Sequence, residues 1–170
     1  MKRGFTLVEI LVVLGIISVL ACIIVPSMQI VKARAASAGC LSNLKAIGVG
    51  LNLYLADNQM TMPNLKAARA SVDEDVPVLD NTLARYVDDG RVFICPAGRD
   101  VARTTGTSYY WDSVLSGQAV ASLNFLGMIT DLSKIPIVLD KEGWHQYTEN
   151  KVNHLFADGH AATELRLFTQ

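Results

Sequence analysis

From position 7 to position 25 every residue is apolar or small except Glu9 and Ser18. As a helix rising ~1.5 Å per residue, that run covers about 28 Å, close to the ~30 Å hydrocarbon core of a bilayer. Beyond Pro26 the pattern changes. Apolar residues recur at Val31, Leu41, Leu44, Ile47, Leu51 and Leu55, by steps of three or four in the later part. Lys32, Arg34, Ser37, Asn43, Lys45 and Asn52 fall largely between them. This spacing predicts an amphipathic helix. The two patterns abut, so residues 7–56 read as one long helix. Its first part, to residue 26, spans lipid. Its second part, 27–56, is a stalk that packs on a globular head over 57–170. Pro26 sits near the join, where it removes a backbone donor and crowds the preceding turn. Two readings stand: a kink at the membrane edge, or a place where the helix unwinds under packing.

After the turn-forming Asp57-Asn58-Gln59, the pattern is shorter and more broken. Residues 60–82, with Pro63, Pro77 and the acidic Asp73-Glu74-Asp75, read as a loop with a short helix. Residues 82–87 read as helical, stopping before Asp89-Gly90. Residues 92–95 are apolar and end at Pro96, which predicts a strand. Residues 98–106 read as a polar loop. Strands are expected at 108–111 and 135–139, the latter at an edge or beginning at Pro136. The clearest local signal is 152–165, where two apolar arms flank Asp158-Gly159, a dipeptide that supplies positive φ angles to a hairpin. The expected fold class is α+β: a long N-terminal helix packed on a small antiparallel sheet.

Composition narrows the function. Hydrophobic residues make up 51% of the 170, with the excess in the N-terminal run, and the net charge is −1. That balance lacks the basic stripe of a nucleic-acid surface, so no nucleic-acid partner is expected. Cys22, Cys40 and Cys95 are far apart and show no C-x-x-C, which argues against a cysteine metal cluster. Cys22 lies in the apolar run. Cys40 and Cys95 fall outside the membrane, where an oxidising compartment lets them pair. Such a bridge would contribute about 4 kcal/mol on the chain-entropy account. The alternative is two thiols that never meet.

Lys2 and Arg3 flank the apolar run on its N-terminal side and place that end in the cytoplasm, with everything after Pro26 outside. Three kinds of segment share this design. One is a secretory signal peptide. Another is a lipoprotein signal, to which Val19-Leu20-Ala21-Cys22 conforms loosely. The third is a permanent anchor. The run passes through Cys22 without a polar processing region and helical character continues beyond it, which favours the anchor. Glu9 then needs an explanation, because a carboxylate at the edge of an apolar span is costly unless paired or protonated. Either it sits shallow and reaches interfacial water, or it meets a charge on another chain. A cut after Gly4 would give Phe5 a free amine. Pairing of that amine with Glu9 of a neighbour would favour one axial register, since other staggers leave both charges unpaired.

Gly4-Phe5-Thr6-Leu7-Val8-Glu9, behind a short basic leader and ahead of Ile10-Leu11-Val12-Val13, resembles the class III signal of type IV prepilins and type II secretion pseudopilins. The resemblance implies a leader of residues 1–4 and cleavage between Gly4 and Phe5 by a membrane-embedded prepilin peptidase. It also implies methylation of the Phe5 amine and a role for Glu9 in assembly. It further implies a bacterial inner-membrane protein that enters a helical filament. Its partners would be copies of itself, minor pilins or pseudopilins, and an assembly platform with a cytoplasmic ATPase. More loosely, Cys40-Leu41-Ser42-Asn43-Leu44-Lys45, Val92-Phe93-Ile94-Cys95-Pro96 and the His…Asp-Gly end resemble a group of bacterial pilin-like proteins. The usual gap between His and Asp-Gly is not kept here: His154 is too close to Asp158, and His145 too far.

The head offers few candidates for chemistry. Ser113, Ser116, Asp140 and His145 lie outside any G-x-S-x-G context, and no catalytic residue or cofactor is expected. His154, Asp158 and His160 cluster around the hairpin and are weak candidates for metal ligands. The plainer reading makes Asp158 a turn residue and the histidines solvent-facing. No run of alternating Asp suggests a calcium loop. Trp111 and Trp144 read as core or rim aromatics. The filament reading competes with a membrane-anchored or lipidated binding protein that never polymerises, and with a metal-dependent enzyme in the head.

Overall fold

A computed structural model of the chain describes residues 6–146 and 151–165. Helix α1, Leu7–Asp57, is continuous over 51 residues and starts at Thr6 with a capping box. It runs through position 26 without interruption. Two hydroxyls bond back to the helix, Ser18 Oγ to the Leu14 carbonyl and Ser27 Oγ to the Ile24 carbonyl, each at 2.8 Å. Back-bonding of this kind often accompanies gentle bending.

The two halves of α1 differ in what covers them. Leu7, Leu11 and Ile23 remain 80%, 64% and 66% exposed. From Ser37 onward one stripe turns inward: Cys40, Leu44, Ile47, Leu51 and Leu55 are all buried. Their spacing of three to four residues keeps them on one face, and each full burial is worth about 1.5–3 kcal/mol. The stripe uses Cys40 where the sequence pattern suggested Leu41, which is half-buried, and Val31 is exposed. Head contact therefore starts near residue 37, some way into the expected stalk of 27–56. Gly50 permits close approach to the head: a Cβ there would lie 2.7 Å from Val87 Cγ1 and 3.1 Å from the Tyr86 carbonyl oxygen.

The head carries a four-stranded antiparallel sheet in chain order: β1 (Tyr109–Trp111), β2 (Pro136–Asp140), β3 (His154–Phe156) and β4 (Ala161–Ala162). Tyr110 faces Leu139 across β1–β2, and Leu139 faces His154 across β2–β3. A register shift between Pro136 and Val138 adapts β2 to β3. β2 is central and buried along most of its length, although it begins with a proline. α1 packs on β3 and β4. The α+β class, the long helix and the antiparallel head follow the sequence pattern.

Several local expectations fail. Residues 92–95 do not form a strand. Residues Gly90–Phe93 form a 3₁₀ turn started by Asp89, whose carboxylate accepts from the Arg91 N–H. The Phe93 carbonyl is taken instead by the Ser108 N–H and the Thr107 hydroxyl. Residues 98–106 are not a loop: Arg99–Thr105 is a helix, α3, closed by Gly106 at φ +83°. The signals were Asp100 in the first turn and glycine after the last. The helix expected at 82–87 begins earlier, as α2 (Leu79–Leu83), and narrows to a 3₁₀ turn at Ala84–Tyr86. In the hairpin only Gly159 has positive φ, +90°; Asp158 does not.

Candidate functional site

Two regions concentrate chemistry: the start of α1 and the junction between α1 and the head. At the start, Glu9 Oε2 accepts from the Thr6 N–H and the Thr6 hydroxyl, each at 2.8 Å. Thr6 Oγ1 in turn accepts from the Glu9 N–H at 3.3 Å. This reciprocal cap satisfies donors that an α-helix leaves unpaired at its N-terminus. Gly4 and Phe5 lie outside the described residues. Downstream, Ile10, Leu11, Leu14, Ile17 and Leu20 are exposed on a helix that is long and apolar enough to cross a membrane. A surface this apolar is covered by lipid or by other apolar helices.

At the junction the polypeptide brings together residues far apart in sequence. Cys40 of α1 is disulfide-bonded to Cys95, with Cα atoms 5.0 Å apart and a sequence separation of 55. That Cα distance falls within the usual range for such bridges. Cys95 is presented by the turn that follows Gly90–Phe93 and is held by an N–H bond to Ser108 Oγ at 3.0 Å. His145 Nε2 lies 3.7 Å from Cys95 Sγ and 3.1 Å from Asp140 Oδ2. Asp140 Oδ2 also accepts from the Asn153 N–H at 2.8 Å, and Asn153 Oδ1 faces Ser37 Oγ of α1 at 3.5 Å. Cys40, Cys95, Asp140 and His145 are all buried. Contrary to the sequence spacing, the cysteines do belong to a cluster of possible ligands: one donor atom from each of the four lies within 4.8 Å of the others. The spacing hid it, since Cys95 and His145 are 50 positions apart.

Of the hairpin histidines, His160 is exposed as in the plainer reading and His154 is not. His154 is buried, not solvent-facing, and burial lowers its pKa below the usual histidine value, with Asp140 acting in the opposite direction. Asp158 and His160 pair at the hairpin, Oδ1 to Nδ1 at 2.6 Å, and the His160 ring stacks on Phe156 at 4.3 Å between centroids. Asp158 also caps the turn by accepting from the His160 N–H. Trp111 is buried, and Trp144 packs at the rim beside Gly98, where a Cβ would come within 2.5 Å of the indole.

A third group braces the head. Arg69 Nη2 bonds Asp80 Oδ2 at 2.5 Å and its Nε donates to the Thr105 carbonyl at 2.9 Å. Lys141 Nζ donates to Thr105 Oγ1 at 2.6 Å. Burial lowers Lys141 to about 8, opposed by the charge of Asp80. Burial also raises the Asp80 pKa, with Arg69 opposing. These contacts join α2, the end of α3 and the end of β2.

Comparison with known proteins addresses the first region most directly. The family described as "Prokaryotic N-terminal methylation motif" matches residues 1–25. Type II secretion system core protein G of Escherichia coli (strain K12) is 35% identical over 96 residues, 56% of this chain and 65% of that protein. The protein of the same name from Pectobacterium carotovorum subsp. carotovorum is 31% identical over 91 residues, 54% of this chain and 57% of the relative. Competence protein ComGC of Halalkalibacterium halodurans is 36% identical over 68 residues, 40% of this chain and 67% of the relative. The chain thus spans somewhat less than two thirds of the secretion proteins it matches. No solved structure matches it significantly. The methylation motif, the long apolar helix and the small antiparallel head fit a single-pass membrane-anchored protein, and the chain belongs to the family of type IV pilins and type II secretion pseudopilins.

Proposed function

We propose that the chain is a structural subunit of a pilin-like filament, of the type II secretion kind, with no catalytic role. The observation that carries this reading is the uncovered apolar length of α1, headed by a single carboxylate, Glu9. In the membrane, lipid covers that surface. In a filament, the same faces of neighbouring helices cover it, so extraction requires little net change in apolar exposure. Charge supplies what apolar packing lacks, a unique stagger. A prepilin peptidase cuts after Gly4 and methylates the new amine of Phe5. That amine is met by Glu9 of an adjoining subunit, and registers that separate the two leave buried charges unpaired. The N-terminus faces the cytoplasm and the head faces outward. Pro26 marks the place where α1 bends or opens as the subunit leaves the bilayer. The Cys40–Cys95 bridge fastens the head to its own stalk. Minor pseudopilins, an assembly platform and its cytoplasmic ATPase are the implied partners.

Mass spectrometry of the mature N-terminus tests the reading. The expected species begins with N-methyl-Phe5. An uncut leader in a host with working peptidase, or a diacylglyceryl group on Cys22, overturns it in favour of a tethered protein that does not polymerise.

A further inference from the structure

We propose that the buried Cys40–Cys95–Asp140–His145 junction is a zinc site in the thiol form of the protein, mutually exclusive with its disulfide. The donor set is the first argument. Two thiolates, one imidazole and one carboxylate suit a borderline-soft divalent cation, and suit calcium or magnesium poorly. Geometry is the second. Zinc bonds of ~2.3 Å to sulfur and ~2.0–2.1 Å to nitrogen or oxygen give tetrahedral edges of about 3.5 Å for S···N and about 3.3 Å for N···O. The corresponding separations are 3.7 Å for Cys95 Sγ to His145 Nε2 and 3.1 Å for His145 Nε2 to Asp140 Oδ2. The four donors lie within 4.8 Å of one another, so small side-chain rotations centre them on one point.

Electrostatics is the third argument. The Asp140 side chain is 0% exposed, and its Oδ1 has no hydrogen-bond partner among the described residues. A buried carboxylate in that position is stabilised by a cation. The Asn153 N–H donates to the same Oδ2 that faces His145 and so fixes the carboxylate's orientation, while Asn153 Oδ1 faces Ser37 of α1. Outer bonds of this kind hold metal ligands in place. All four donors come from protein and the site is closed to solvent, which makes it structural.

The two states balance as follows. Two thiols and Zn²⁺ give a bis-thiolate complex and release two protons. Disulfide formation removes two electrons and two protons from the thiols, passes them to a disulfide-class oxidant, and leaves no thiolate to hold the ion. A dithiol reductant, itself oxidised to a disulfide, reverses that step. Either state ties Cys40 of α1 to the head, so the subunit has a cross-link available in reducing and in oxidising surroundings.

The test uses the full chain in detergent micelles carrying Cys22→Ser, reduced and handled without oxygen. One Co²⁺ per chain is expected to bind, with a sulfur-to-cobalt charge-transfer band and the intense visible bands of tetrahedral cobalt. Zinc should displace it, and the air-oxidised chain should bind none. His145→Ala and Asp140→Asn should each weaken binding by at least about tenfold, in line with loss of a ligand or its orientation. Thermal melts of the same variants in the disulfide form report whether their heads fold. A reduced chain that keeps its circular dichroism but shows no thiolate–cobalt band overturns the proposal. So does a band unchanged by His145→Ala. If reduction unfolds the head, recovery on adding zinc supports the site, and failure to recover excludes it.

Discussion

The Glu9 carboxylate is held by Thr6 of its own chain, through one oxygen that accepts two hydrogen bonds of 2.8 Å. The side chain is thus ordered before any neighbour arrives, which lowers the entropy cost of an intersubunit ion pair. The expected consequence separates two roles. Glu9→Ala removes the charge and should reduce incorporation into sedimentable filaments by about tenfold or more, because the partner amine is left buried and unpaired. Thr6→Val removes the hydroxyl cap, worth about 1 kcal/mol at a helix start, but keeps the carboxylate and should still assemble. Normal polymerisation of Glu9→Ala would refute charge-set stagger.

The bond between Cys40 and Cys95 closes a loop with a sequence separation of 55. Cys95→Ser should lower head stability by about 4 kcal/mol on the chain-entropy account. Cys22→Ser should leave head stability unchanged, since Cys22 is exposed on the apolar half of α1. Thermal unfolding of the detergent-solubilised chain, followed by near-ultraviolet circular dichroism, reads both. Equal melting of Cys95→Ser and the parent under non-reducing, metal-free conditions would contradict the bridge.

Gly50 is a helix-interior residue whose replacement by alanine normally stabilises by about 1 kcal/mol. Here the new methyl would sit 2.7 Å from Val87 Cγ1. Gly50→Ala should therefore destabilise by about 1–3 kcal/mol, as overpacking does. Val87→Ala in the same chain should recover part of the loss, and a double-mutant cycle in denaturant measures the coupling. A stabilised Gly50→Ala would show that helix and head are not in close contact at this point.

Arg69 and Asp80 form a mostly buried pair, with side-chain exposures of 8% and 14%. Asp80→Ala leaves the guanidinium with its bond to the Thr105 carbonyl but without its counter-charge. A loss of about 2–3 kcal/mol is expected, less than for a fully enclosed pair. Urea unfolding gives the value, and a loss below ~0.5 kcal/mol would assign the pair to the negligible surface class.

His154 sets a pH dependence. Burial places its folded pKa below the unfolded value of 6.5. Between those two values the unfolded chain binds more protons, so stability rises with pH. Acidification below 6.5 should therefore destabilise the head, until the folded histidine also protonates. His154→Gln should flatten the melting-temperature profile in that window. A parent profile with the opposite slope there, restored to flat by the same substitution, would mean that the charged form is the one favoured by folding.

The sequence made the anchor legible because a long apolar run followed by a regular stripe needs no tertiary information. Leu44, Ile47, Leu51 and Leu55 point inward as their spacing requires. The β2 and hairpin assignments rest on equally local signals. Residues 92–95 misled because their apolar character reflects burial of Phe93 and Cys95 in a turn, with the Phe93 carbonyl engaged by Thr107 and Ser108 rather than by a strand. Helix α3 was hidden by polar residues, although Gly106 marked its end. The junction of Cys40, Cys95, Asp140 and His145 could not be read from spacing at all, because long-range chain folding, not local periodicity, assembles it.

The head grips α1 only from about Ser37 onward, leaving roughly thirty helical residues, about 45 Å, projecting bare beneath it. Once out of lipid, such a shaft cannot be roofed by its own head. In the proposed filament, shelter would come from the apolar shafts of neighbouring subunits. In such a fibre the shafts at either end would lack part of that shelter, and lipid would be their remaining apolar cover.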